Sequence, residues 1–173
     1  LDALRGAGAE PEVCGIDVSK SAVRAAAKRH KGIAFAVASA FSLPAADASA
    51  DLAVNVFAPI VPGELRRVVR PGGFLLLAVP MPRHLYGMKE ILYDEPYENE
   101  YRETDYPGFA LVSREAVTGE IQLDSPALIE ALFSMTPYYW KTPPAGCARL
   151  RAASSLRTEI GFDFLLYRRE ETP

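Results

Sequence analysis

Short apolar runs, separated by helix-periodic or turn-forming stretches, set the plan of this chain. Val13-Cys14-Gly15-Ile16 is the first clear run, and Asp17 ends it. With no polar alternation, it predicts a parallel strand covered on both faces, with Cys14 in its core. Lys20 to Arg29 is alanine-rich and predicts a helix; Ser19 is placed to cap its first turn and Ser21 to assist. Ile33 to Val37, ending in Ala38-Ser39, predicts a second strand, and Asp51 to Phe57 a third. A short helix over about Gly63 to Val69 leads into Arg70-Pro71-Gly72-Gly73. Pro71 suits the second position of a turn there, and Gly72 the third, where φ is positive. Phe74 to Val79 is a continuous apolar strand.

The second half has a different rhythm. Leu85 to Tyr93 predicts a helix. Asp94 to Gly108, rich in Tyr, Glu, Asp and Pro with weak periodicity, predicts a mobile loop that could act as a lid. Phe109 to Leu123 alternates well enough for a long antiparallel strand. Pro126 suits the first position of a helix that continues through Phe133 with an apolar face of Leu128, Ile129, Leu132 and Phe133. Ala145 to Ser155 predicts another short helix and Thr158 to Arg169 a final strand. The alternation of strands and helices argues for a doubly wound, mostly parallel α/β sheet, with a carboxyl-terminal antiparallel strand pair and a helical insertion near 125–157.

Composition narrows the class. The 173 residues are enough for one domain with a sizeable core; 49% are hydrophobic and the net charge is −3, which suits a soluble globular chain without a strongly basic nucleic-acid footprint. No apolar run is long enough to span a bilayer and no signal peptide opens the chain. Cys14 and Cys147 stand far apart, which suggests neither a disulfide framework nor a metal site, and a reducing, cytoplasmic setting is expected.

Candidate chemistry begins at Asp17. A carboxylate at the carboxyl end of a buried strand can accept hydrogen bonds from a ribose diol, the way nucleotide-type cofactors are held in open α/β sheets. The plainer alternative is that Asp17 only helps to cap the next helix. Gly6-Ala7-Gly8 looks like a phosphate loop, but no strand precedes it and Asp17 follows far too soon. The order of elements is that of such a sheet entered after its first strand and glycine loop.

The strings GIDVSKSAVRAAAKR, FAVASAFSLPAADASADLAVNVFAP and ELRRVVRPGGFLLLAVPMPRHLYGMKEIL resemble the class I S-adenosylmethionine-dependent methyltransferases. More narrowly, VASAFSLP, PRHL and MTPYYW resemble the bacterial 23S rRNA (guanine-N1)-methyltransferases, a group that includes enzymes protecting the ribosome from macrolide-type antibiotics. The resemblance runs over nearly the whole chain, apart from the family's amino-terminal zinc module and its first strand with the glycine loop. It implies a Rossmann-like fold, S-adenosylmethionine as cofactor and 23S rRNA as partner. The alternatives are a small-molecule methyltransferase on the same fold and a non-catalytic fragment; a homodimer is left open.

The same resemblance implies roles for single residues. Asp17 would hold the cofactor's ribose, Val18 would pack on its adenine, and Ala38 and Ser39 would meet the adenine amino group. Asn55 to Pro59 would lie beside the transferred methyl, although Asn55-Val56-Phe57-Ala58-Pro59 departs from the motif many amino-group methyltransferases carry there. Asn55, Phe57 and His84 are thus expected at the cofactor. Guanine N1 must lose a proton, for which His84 and Asp105 are candidate bases and Arg83 could assist ionisation. A base leaving its stack is held between aromatic or apolar side chains. Phe57, Tyr86 and the run Tyr138-Tyr139-Trp140 are candidates, with ordinary packing as the alternative for that run. Arg66, Arg67, Arg70, Arg149, Arg151 and Arg157 could track phosphates or simply form a solvated face.

Overall fold

A computed structural model describes residues 10–100 and 105–171, together with Gly6 and Gly8. The predicted amino-terminal helix end at Leu1 to Ala9 lies outside the described residues except for those two glycines.

The elements follow the chain as β1 (Cys14–Asp17), α1 (Lys20–Arg29), β2 (Ala34–Val37), β3 (Ala50–Val56), α2 (Pro62–Val68) and β4 (Val69–Pro80). Then come α3 (Tyr86–Leu92), β5 (Phe109–Leu123), α4 (Pro126–Ser134), α5 (Tyr138–Lys141), α6 (Pro144–Ala152) and β6 (Leu156–Arg169). β1 and β2 pair in parallel, as do β3 and β4. β6 runs antiparallel to both β4 and β5, giving the order β3-β4-β6-β5. This is the expected mixed α/β plan with a reversed last strand. Among the described residues the sheet is in two parts, because neither β1 nor β3 is paired on its second edge.

Local chemistry explains the boundaries. Ser19 caps α1, its hydroxyl accepting the Ala22 N–H at 3.2 Å while lying 2.9 Å from Ser21 Oγ. Gly72 has the positive φ expected of it, +71°, but Arg70 to Gly73 lie inside β4 and not in a turn before it, at an irregularity where the register with β3 shifts. Pro126 opens α4 and Pro144 opens α6, each at a first-turn position where a missing N–H costs nothing.

One expectation fails here. Cys14 is exposed, and β1 has no fully buried residue. An apolar run marks a strand but cannot say how many faces are covered; α1 is the helix that packs on this pair. The predicted loose loop is also only partly so. Asn99, within it, donates its main-chain N–H to Pro82 O at 2.8 Å and its amide to Met81 O and His84 O.

Two apolar clusters hold the rest. Leu65 of α2 packs on Leu75, Leu77, Leu165 and Tyr167 of the sheet, with Phe109. Leu85, Met88 and Leu92 pack with Ile129, Phe133, Leu150 and Leu156, seating the helices α4–α6 against α3. α3 and α6 approach closely because Gly146 has no side chain: a Cβ there would collide with the Leu92 carbonyl oxygen and come within 2.9 Å of Thr142 Cγ2. Gly146→Ala is therefore expected to lower unfolding stability by about 3 kcal/mol, read by urea denaturation. Gly63→Ala, where a Cβ meets nothing within 4 Å, should leave it nearly unchanged.

Candidate active site at the carboxyl edge of the strands

The pairing register of β4 gathers one group of residues. Val56 lies opposite Ala78, and Pro80 opposite Phe162. The chain leaving β3 therefore brings Phe57 beside the chain leaving β4, which carries His84, and both beside Phe162. The rings meet as a cluster: His84 to Phe162 4.7 Å, Phe57 to Phe162 5.6 Å, Phe57 to His84 6.2 Å between centroids. Phe57 remains 58% exposed, so one side of the cluster faces outward.

Asn55 builds the turn that presents Phe57. Its side chain donates to Pro59 O and accepts the Ala58 N–H, both at 3.2 Å. Phe57 is held there at φ +55°, a conformation that costs a non-glycine residue energy and persists only where neighbours enforce it. Asn55, expected at the cofactor, thus spends both ends of its amide on its own turn.

His84 is fixed from two sides. Gly161 donates its backbone N–H to Nδ1 at 3.3 Å. Burial, and then the positive charge of Lys89, hold the imidazole pKa below its ordinary 6.5. Lys89 itself is fully buried, its ammonium donating to Tyr97 O and Asn99 Oδ1, each at 2.8 Å, and lying 4.3 Å from the Tyr97 ring centroid. Tyr138 donates to the same Asn99 oxygen at 3.2 Å. All four hydrogen-bonding positions of the Asn99 amide are filled, two as acceptor and two as donor.

A second group stands at the ends of β1 and β2. Ala38 N–H donates to Asp17 O at 3.1 Å, which places Asp17, Val18, Ala38 and Ser39 together. Asp17 Oδ1 accepts the Ser19 N–H at 2.7 Å, so the capping alternative is real. The other carboxylate oxygen lies on an exposed residue, and Val18 is 72% exposed beside it. A free carboxylate oxygen next to an uncovered apolar side chain fits a ribose and its attached ring. Ser39 Oγ accepts the Phe41 N–H at 3.2 Å.

Other expected residues go elsewhere. Asp105 adjoins Tyr106, whose ring lies 5.2 Å from that of Tyr167, and Tyr167 pairs with Leu75 near the start of β4. From Leu75 to Pro80 the strand advances about 17 Å at roughly 3.4 Å per residue. Asp105 therefore stands toward the opposite end of the sheet from His84 and cannot serve as the base there. Arg83 stacks over Tyr86 at 4.1 Å and pairs with Glu159 at 2.5 Å and Glu98 at 3.4 Å, so each occupies the other. Tyr138 and Tyr139 are packing residues, Tyr139 lying 5.3 Å from Phe133, whereas Trp140 is 83% exposed. The arginines are engaged: Arg67 with Glu64 and Asp47, Arg70 with Asp51, Arg149 with Asp94, Arg151 with Glu130 and Arg157 with Glu120.

Sequence reasoning missed Lys89, Asn99 and Phe162. Lys89 left a signal, because it sits between Met88 and Leu92 on the apolar side of a predicted helix. Asn99 and Phe162 left none, since their partners are distant in sequence.

Similarity to known proteins agrees with this geometry. The family model described as a methyltransferase domain matches residues 1–77. The 23S rRNA (guanine(748)-N(1))-methyltransferase of Streptomyces fradiae is 37% identical over 78% of this chain and 49% of its own length. The chain thus carries a match to a methyltransferase domain and is similar to a 23S rRNA (guanine-N1)-methyltransferase, and it spans about half the length of that Streptomyces relative. The methyltransferase fold is shared with a structure titled as a candidate methyltransferase of Bacillus halodurans C-125 (TM-score 0.58, 15% identity, 97% of this chain and 87% of that one). It is also shared with the S-adenosylmethionine-dependent methyltransferase of Mesorhizobium loti (TM-score 0.50, 15% identity, 97% and 85%).

A structural tie near the middle of the chain is open to a pH test. Glu64 on α2 accepts the Leu43 N–H at 2.7 Å and hydrogen bonds from Arg67, which lower its pKa from 4.5 to about 2. Its carboxylate therefore contributes stability above pH 4.5 that is lost as pH falls toward about 2. Glu64→Gln is expected to flatten the fall in stability over that interval, measured by urea midpoints at stepped pH.

Proposed function

We propose that this chain is the catalytic part of an enzyme that methylates N1 of a guanine in 23S rRNA. The observation that carries the reading is the similarity to the Streptomyces fradiae enzyme, in a chain whose strand ends present Asp17 and the Phe57–His84–Phe162 cluster. When bound, S-adenosylmethionine supplies a methyl already activated by its sulfonium, so the protein's task is to align, orient and exclude water.

The residues divide the task. Asp17 would accept a hydrogen bond from the ribose, Val18 would cover the adenine, and Ala38 and Ser39 would border it. The outer face of Phe57 would stack the guanine once it leaves its helix, and exposed Trp140 offers a further stacking surface. The setting would be the cytoplasm, where ribosomes are; no helix among the described residues is long and apolar enough to cross a membrane.

A small-molecule substrate on the same fold is the second reading. One observation favours it: Arg67, Arg70, Arg149, Arg151 and Arg157, five of the six arginines that could grip phosphates, are paired with carboxylates of this chain. Incubating the intact protein with S-adenosylmethionine and unmodified 23S rRNA should give N1-methylguanine by nucleoside mass spectrometry; its absence would contradict the rRNA reading. Asp17→Ala should weaken binding of S-adenosylhomocysteine by at least about tenfold, the loss expected for a hydrogen bond to a charged group. Calorimetry measures it, and unchanged affinity would remove Asp17 from the cofactor site.

A further inference from the structure

We propose that Arg67 is a positioning residue for the cofactor. Its guanidinium clamps the chain that leaves β2, and through that chain it fixes the Ala38–Ser39 end of the crevice. This inference rests on the reading of the β1–β2 ends as the adenine and ribose side of an S-adenosylmethionine site; it does not depend on the guanine substrate.

The packing leaves a need for such a clamp. Among the described residues, β1–β2 and the sheet β3-β4-β6-β5 share no strand pairing. Of residues 41–49 only Leu43 and Ala45 are not exposed, so little buried apolar surface holds this segment. A stretch with few buried contacts opens at low cost. Yet it starts beside Ser39 at one part of the crevice and leads into β3, which feeds the other.

Arg67 stands on α2, whose Leu65 is buried against the sheet. All five N–H groups of its guanidinium meet acceptors. Nε donates to Glu64 Oε2 at 3.0 Å, and Nη2 to Glu64 Oε1 at 2.7 Å. Nη2 also donates to Leu43 O at 3.0 Å, and Nη1 donates to Ala45 O and Asp47 Oδ1, each at 2.7 Å. Glu64 Oε1 accepts the Leu43 N–H at 2.7 Å, and the Arg67 carbonyl accepts the Ala48 N–H at 2.8 Å. One ion pair on α2 therefore satisfies both main-chain groups of Leu43, whose side chain lies against the Leu65–Leu75–Leu77 cluster.

The path from the clamp to the crevice is short. Ser42 donates its N–H to Ser39 O at 3.0 Å, and Phe41 donates its own to Ser39 Oγ at 3.2 Å. Ala38 in turn donates to Asp17 O. A tight turn thus joins the clamped Leu43 to the residues that would border the adenine. Loosening the clamp lowers the fraction of time this turn is in place, and apparent cofactor affinity falls by that same fraction. The Phe57–His84–Phe162 edge is held separately, by the pairing of β4, and is not affected. Lysine cannot take over, because donors on one nitrogen do not match acceptors spread around a planar fork.

Calorimetry with S-adenosylhomocysteine on the intact protein tests this. Arg67→Met and Arg67→Lys should each bind about tenfold more weakly, as for a turn in place roughly a tenth of the time, with unchanged stoichiometry. Arg70→Met, which removes a nearby cation paired with Asp51, should keep wild-type affinity. A role in folding alone does the reverse: the stoichiometry falls because fewer molecules are competent, while affinity holds, and that result overturns the inference. Hydrogen–deuterium exchange in Arg67→Lys should be faster at residues 38–48 and as in wild type at 56–58 and 81–85; faster exchange throughout the chain also overturns it. Should Arg67→Met not fold, Arg67→Lys, which keeps the charge beside Glu64, carries the comparison. Wild-type affinity in Arg67→Lys together with weakened binding in Asp17→Ala rejects this inference alone. If Asp17→Ala binds as wild type does, or the wild type does not bind S-adenosylhomocysteine, the reading of the β1–β2 ends fails first and this inference falls with it.

Discussion

Everything at the active edge depends on β4 being paired on both sides in fixed register. β3 binds it in parallel, so both strands release their chains at the same end. β6 binds it antiparallel, so Phe162, from the middle of that strand, comes to the same place. A shift by one residue would turn Phe162 to the other face and separate it from His84. The full burial of Leu75 and Leu77 makes such a shift costly, because it would expose both. Core packing thus positions the reactive edge.

The second device is polar and buried. Lys89 replaces an apolar residue on a helix face whose neighbours Met88 and Leu92 are fully buried. Burying an ammonium is costly unless its donors are met, and here a carbonyl, an amide oxygen and an aromatic ring meet them. The result is a tie from α3 to Asn99 and from Asn99 to the turn carrying His84. The part of the 94–108 segment that touches the site is therefore held down.

Much of this plan was legible in the sequence. α1 and β5 have the predicted bounds, because a capped alanine-rich run and a long alternating run are strong local signals. The reversed last strand and the helices between β5 and β6 were legible too. What was not legible depends on contacts between distant segments. The Cys14 run predicted two covered faces, but coverage is decided by neighbours and not by the run itself. Asp105 looked as good a base as His84 in one dimension, and only the Tyr106–Tyr167 contact shows that it stands toward the other end of the sheet. Asn55 was expected beside the cofactor, and what could not be read is the turn it closes, which presents Phe57.

The account requires that the strand ends of β1–β2 and those of β3–β4 serve one ligand. Hydrogen–deuterium exchange of the intact protein, with and without S-adenosylhomocysteine, tests that directly. Added protection is expected both at residues 17–19 and 38–39 and at residues 56–58 and 81–85. Protection confined to one of these groups, or to neither, would contradict a single methyl-transfer crevice.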